Sequence, residues 1–442
     1  MRVAFYTLGC KLNQAETESL ASRFSKAGFQ LVSPSDGADI YIANTCTVTH
    51  IADRKSRHWL RLAKRRNPQA LIIATGCYAQ RSHQELAQLA DIVVDNKEKE
   101  HLLERVVSLS LPTPSSILAR TPLRRCERSE AISPITAIAR VRSLIKIQDG
   151  CHSHCTYCIV PKVRPHEHSL PASQIIDEVQ QKVALGYKEV VLTGTKVGSY
   201  KDDGADLVDL VQRILRDTGI KRLRLSSLQP SEISSEFLAL WQDKRLCQHF
   251  HLALQSGSET VLRRMKRIYT LDQYQGTINL IKETIPEVAI TTDIMVAFPG
   301  ESDEEFEQSY SFCQQAGFAN IHVFPFSPRP ETAAARMPGQ VKDKVKEARN
   351  QRMLRLSQSC RHSFCEQFLG QTMPVLWEKE TSPGSSIYSG LTVNYIRVFT
   401  SSEKSLNNEI TPVKLVGFHN QGMWGELTRR LAIINTDAQS ES

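Results

Sequence analysis

Cys151-His152-Ser153-His154-Cys155-Thr156-Tyr157-Cys158 puts three thiols into one short run with the spacing C-x3-C-x2-C. Three thiolates so placed can hold three irons of a 4Fe–4S cluster and leave the fourth iron open. An open iron is what reductive cleavage of S-adenosylmethionine (SAM) requires. The same run has a second reading, a zinc site with His152 or His154 as fourth ligand.

A second group of cysteines is scattered in sequence but equivalent in setting. Cys10, Cys46 and Cys77 each follow a strand-like segment: Thr7-Leu8-Gly9-Cys10, Ala43-Asn44-Thr45-Cys46 and Ala74-Thr75-Gly76-Cys77. In a parallel sheet such loops emerge at one edge, so the three thiols converge. Gly9 and Gly76 let the backbone turn tightly around a bulky inorganic group. The expectation is a second three-cysteine cluster, again with one iron open. Cys126, Cys247, Cys313, Cys360 and Cys365 share no such placement, and Cys313 reads as core of an amphipathic helix.

The elements that must position these thiols follow from periodicity. Val3–Leu8, Ile40–Ala43, Leu71–Thr75 and Ile92–Val94 read as strands, with helices over Asn13–Ala27 and Ala52–Arg66. That alternation predicts a doubly wound parallel sheet. Residues 109–139, rich in Pro, Ser and basic residues, read as a linker or insertion. A second alternating series then places strands at Leu144–Ile147, Glu189–Leu192, Arg222–Ser226, Phe250–Leu254, Ala289–Ala297 and Ile321–Phe326. Helices are expected over Ala172–Leu185 and Asp206–Arg216, and after Ser302, which forms a capping box with Glu305. These six units make an incomplete version of the eight-unit barrel, with Cys151–Cys158 in the loop after its first strand. A basic helix over about Lys342–Phe368 closes the series. Short strands at Met373–Leu376, Leu391–Phe399 and Val413–Val416 predict a small antiparallel barrel of the OB type. The fold class is thus α/β, with a doubly wound sheet, a partial (β/α)6 barrel and a terminal OB-like β-barrel. The expected boundaries are 1–108, the linker 109–139, 140–369 and 370–436.

The chain has 442 residues, too many for one core, and 41% of them are hydrophobic. No apolar stretch is long enough to span a membrane, and the N-terminal residues lack the apolar region of a secretion signal. A cytoplasmic setting is expected, where eleven cysteines serve metal or catalysis rather than disulfides. The formal charge of +8 leans toward nucleic acid, as do the local runs Arg54–His58, Lys64–Arg66 and Arg263–Arg267.

With these motifs in place, the sequence resembles the radical-SAM methylthiotransferase family over nearly its whole length. The three N-terminal cysteine segments, Lys146-Ile147-Gln148-Asp149-Gly150-Cys151, Leu192-Thr193-Gly194, Leu254-Gln255-Ser256-Gly257-Ser258 and Asp293–Gly300 carry the likeness. The resemblance implies two 4Fe–4S clusters, on Cys10, Cys46 and Cys77 and on Cys151, Cys155 and Cys158, with SAM held near Gly194, Gln255 and Ser256. It implies a terminal TRAM domain that binds tRNA, where Tyr395, Arg397 and Trp424 are candidates for contacting the unstacked bases of an anticodon stem-loop. It also implies a reducing partner of flavodoxin or ferredoxin type. Lys11, Gly390–Tyr395 and Gly422–Glu426 resemble the branch that acts on threonylcarbamoyladenosine. The alternatives are an isopentenyladenosine enzyme, one that modifies a ribosomal protein, and, from another class, a non-catalytic zinc-holding RNA-binding protein. The sequence departs from the family pattern at Pro165 and through Leu170, and at Gln229, Ala253 and Val393.

Overall fold

The computed structural model describes residues 1–110 and 140–428. Nearly all of the expected linker, Cys126 within it, and the expected end of the last domain lie outside the described residues. Strands β1 (Arg2–Thr7), β2 (Gln30–Val32), β3 (Ile40–Thr45), β4 (Leu71–Gly76) and β5 (Ile92–Val93) form one parallel sheet in the order β2-β1-β3-β4-β5. Every residue of β3 is buried. This is why the strand reads as a continuous apolar run, with helices covering both faces. The chain reverses its winding at β1, and in such sheets the crevice at that point, beyond the carboxyl ends of the strands, is where ligands bind. The three-residue edge strand β2 was not anticipated, because it is too short to carry a periodic signal.

The central unit contains β6 (Arg142–Lys146), an antiparallel pair β7 (Gln148–Asp149) and β8 (His168–Ser169), then β9 (Glu189–Thr193), β10 (Arg222–Leu225), β11 (Ser227–Leu228), β12 (His249–Leu252), β13 (Ala289–Val296) and β14 (Asn320–Pro325). Its parallel strands run β6-β9-β10 and β11-β12-β13-β14, joined where Leu223 pairs with Leu246. The result is the expected six-position arc. The largest core lies between the arc and the outer helices, with Cys313 inside it. The capping box forms: the Ser302 hydroxyl accepts from Glu305 N at 3.2 Å, and Ser302 N donates to the Glu305 carboxylate at 3.0 Å. β6 and β14 do not pair, so the arc stays open on one side. Helix Lys11–Lys26 of the first unit lies against β6, with Ala15 packed on Leu144 and Val191.

Strands β15 (Thr372–Glu380), β16 (Ile387–Thr392), β17 (Arg397–Ser401), β18 (Ile410–His419) and β19 (Gly422–Leu427) close into a barrel around Trp377. One expectation fails here. Leu391–Phe399 is not one strand but the end of β16, a turn and the start of β17. The Thr392 hydroxyl accepts from Ile396 N at 2.9 Å, and Tyr395 takes a left-handed φ of +68°. The turn fits under the arc. Arg222 donates to Leu391 O at 2.9 Å and Pro374 O at 2.7 Å, Arg224 donates to Val393 O at 3.3 Å, and Asn394 donates to Glu287 O at 3.2 Å. Among the described residues no helix is long and apolar enough to cross a membrane.

Candidate active site

The loops after β1, β3 and β4 bring Cys10, Cys46 and Cys77 together. Cys46 and Cys77 are buried, and Cys10 stands exposed at the mouth. Gly9 and Gly76 have φ of +110° and +97°, and a Cβ on Gly9 would come within 2.9 Å of Cys46 Cβ. Only glycine lets the first loop pass so close to the second. Burial pushes the Cys46 thiol up to about 12, with the Cys77 and Cys10 thiols near enough to add to the shift. Such thiols ionise readily only when a metal centre takes the protons' place.

Cys151, Cys155 and Cys158 face a common cavity of about 160 Å³, shared with Lys196, Gln229, Glu232 and Arg267. Burial likewise pushes Cys158 up to about 12, and the other two thiols add to the shift. Among the described residues no three His, Cys, Asp or Glu side chains close around one point as a single metal ion requires. The zinc reading also loses its fourth ligand, since both histidines are exposed and His152 Nε2 lies 3.0 Å from Pro165 O. Two sets of three thiols, each spread around a shared space, fit cages larger than one ion.

Arg164 joins the two sets. Its Nε donates to Cys77 Sγ at 3.4 Å, and its carbonyl accepts from Cys151 N at 3.4 Å. The guanidinium is buried between Glu16 (2.8 Å), Asp149 (2.7 Å) and Asn13 (2.9 Å). Lys99, also buried, holds the other face of Glu16 at 2.6 Å. Burial opposes ionisation of Glu16, but Lys99 and Arg164 outweigh it and hold the carboxyl well below its usual range. Sequence reasoning missed this network, because its members lie up to 151 positions apart. The divergent segment after Pro161 belongs to the same support: His168–Ser169 pairs with Gln148–Asp149, and Glu167 accepts from His152 N at 3.0 Å. A second guanidinium, on Arg267, donates to Cys155 Sγ at 3.5 Å.

The residues expected around SAM are placed differently. Ser256 is fully buried, with its hydroxyl 3.1 Å from that of Ser309, and does not face the cysteine cavity. Gln255, at φ +71°, acts through its backbone, bonded to Asp293 and Met295, and Gly194 packs against the Gln148 backbone. Their chain neighbours Thr195, Lys196 and Ala253 line the cavity instead.

Of the expected RNA contacts, Tyr395 turns inward. Its ring stacks on His249 at 4.3 Å, and Arg224 lies 4.8 Å from the ring centroid. The ring is half-buried against these neighbours and borders the cleft between the arc and the barrel. Arg397 is paired with Glu378. Trp424 stays half-buried at the surface, edge-on to His419. Sequence reasoning missed the neighbouring stack of His362 on the exposed Phe418, at 4.0 Å. Of the basic runs, Arg264 is spent on Glu305, whereas Arg54, Lys55, His58, Arg61 and Arg65 share an exposed face of the helix His50–Arg66.

A doubly wound sheet and a six-strand arc, each presenting three thiols, together define a radical-SAM enzyme. Residues 145–313 match the Radical SAM superfamily, and residues 2–95 match Uncharacterized protein family UPF0004. Over 96% of both chains the sequence is 36% identical to threonylcarbamoyladenosine tRNA methylthiotransferase MtaB of Bacillus subtilis. It is 37% identical to the protein of that name from Aquifex aeolicus, over 90% of this chain and 96% of the relative. It is 31% identical to tRNA-2-methylthio-N(6)-dimethylallyladenosine synthase of Syntrophotalea carbinolica, over 96% and 99%. The chain belongs to the radical-SAM methylthiotransferase family. Its cofactors are two 4Fe–4S clusters and SAM. In fold it resembles the radical SAM methyltransferase TsrM of Kitasatospora setae, with a TM-score of 0.56 at 14% identity over 76% of this chain and 77% of that one.

Proposed function

We propose that this enzyme transfers a methylthio group to C2 of N6-threonylcarbamoyladenosine in tRNA, next to the anticodon. The observation that supports it best is Arg164, which contacts a ligand candidate from each thiol set and so fixes two reactive centres side by side. An adenine C2–H offers neither an acidic proton nor a leaving group, so side-chain acid–base chemistry does not suffice. When bound, a cluster held by Cys151, Cys155 and Cys158 would supply the electron that splits SAM into methionine and a deoxyadenosyl radical, and one held by Cys10, Cys46 and Cys77 would carry the sulfur to be methylated.

The chain's own side chains do the rest. Lys196, Gln229, Glu232 and Arg267 surround SAM in the cysteine cavity and orient it. The Glu232 carboxyl is suited to this, since it is buried, pushed above its usual range by that burial, and has one oxygen without a hydrogen-bond partner among the described residues. The anticodon stem-loop lies across the basic face of the helix His50–Arg66 and reaches Trp424 and Arg397 on the terminal barrel. A flavodoxin- or ferredoxin-like protein delivers electrons, and the enzyme works in the cytoplasm.

The test is expression in a bacterium that makes threonylcarbamoyladenosine but has lost its own methylthio enzyme for it, with mass spectrometry of digested tRNA. Appearance of the 2-methylthio nucleoside supports both reaction and substrate. Product only on isopentenyladenosine, in a suitable host, would keep the chemistry and overturn the substrate.

A further inference from the structure

Lys11 follows the thiol of Cys10 as the first residue of the helix Lys11–Lys26. Its side chain enters the open side of the arc. There it lines a cleft of about 860 Å³ with Arg142, Leu144 and Val191 of the arc and Glu378 and Tyr395 of the terminal barrel. The cleft is of a size that holds a modified nucleoside. Nearly every charged group in it is already satisfied. Arg142 donates to Glu378 at 3.1 Å, and Arg140 to Gln14. Glu378 is shared with Arg397, and Glu380 accepts from Gly384 N at 2.8 Å and Ser386 N at 3.2 Å. Deeper in the arc, Arg224 and Glu189 pair at 2.9 Å.

Lys11 differs. It is half-buried, and among the described residues it has neither a hydrogen bond nor an ion pair. Arg140 and Lys379, the other cations of the cleft without a carboxylate, are both exposed. A half-buried ammonium in a cleft whose other cations outnumber its acids lacks an anion.

The charge that arrives here belongs to the base and not to the RNA backbone. The reacting adenine must come beside Cys10, one residue from Lys11, while its phosphates stay a ribose farther out. Dimethylallyladenosine carries no charge on N6, whereas threonylcarbamoyladenosine ends in a carboxylate. Resting on the function proposed above, we propose that Lys11 binds the carboxylate of the threonylcarbamoyl group and is the residue by which this enzyme selects that nucleoside.

The experiment compares an anticodon stem-loop RNA carrying threonylcarbamoyladenosine with the same RNA carrying plain adenosine. Both are titrated anaerobically against the cluster-loaded enzyme, and turnover with SAM is run in parallel. The wild type is expected to bind the modified RNA about tenfold or more tighter, the scale of a charge-assisted contact. K11M binds both RNAs equally, at the wild-type affinity for plain RNA, and K11R keeps most of the preference. Three results overturn the inference: a preference that survives in K11M, equal weakening of both RNAs (a phosphate contact), or no preference in a wild type that still makes product. Absence of methylthio product from the loaded wild type would instead sink the functional reading itself, and the inference with it.

Discussion

At the scale of single residues the site depends on one guanidinium. Arg164 compensates two buried carboxylates, Glu16 and Asp149, and reaches a cysteine as well. Removing one partner of a buried ionic pair strands the other charge, at a cost on the order of 3–5 kcal/mol. Arg164→Ala should therefore lower the urea midpoint of the metal-free chain strongly. The double change with Glu16→Gln should cost less than the two single changes summed, as a double-mutant cycle reads. Additive losses would mean the network is not coupled. The six candidate ligands were legible in sequence because each thiol set sits where strands end. Arg164 was not, because a buried ion network joins residues that no local pattern connects. Ser256 shows a related limit: whether a hydroxyl just after a strand faces a cavity or the core is decided by a helix (here through Ser309) far along the chain.

At the scale of elements, the turn between β16 and β17 reads as continuous strand, since Leu391, Val393, Tyr395 and Val398 have strand-forming side chains. Tertiary contact overrides that propensity, because the arginines of β10 demand carbonyls and the turn supplies them. Tyr395 stacks on His249 of β12. His249 is held well below its ordinary pKa by burial, with Arg224 and Lys11 adding to the effect. The folded chain thus keeps the imidazole neutral while the unfolded chain takes up a proton near pH 6.5. Its contribution is fully present above that pH and is lost as pH falls toward the folded value, by up to about 1.4 kcal/mol per pH unit. Urea midpoints measured from pH 7 to 5 should fall less steeply in His249→Gln than in the wild type. Equal slopes would remove His249 as the cause.

At the scale of the whole molecule, the helix His50–Arg66 presents an exposed basic face, which suits a polyanion. If Arg54, Lys55, Arg61 and Arg65 meet phosphates, replacing two of them by Gln should weaken tRNA binding whatever the state of the target adenosine. The slope of log K against log salt should drop by about 1 per contact removed. An unchanged slope would place the RNA elsewhere. The three-part architecture was legible in sequence because periodicity is a long-range statistic. The way the parts dock was not, since it rests on side-chain-to-carbonyl bonds such as those of Arg222.

Those bonds have one more consequence. A terminal barrel pinned through its backbone to the floor of the arc cannot swing like a bead on a string, so it works as a calliper. If the barrel grips the RNA as proposed, the span from that grip to the thiols is fixed. Which nucleotide is modified would then be set by measured length along the stem-loop, and a stem one base pair longer or shorter should bring the wrong base to the jaw.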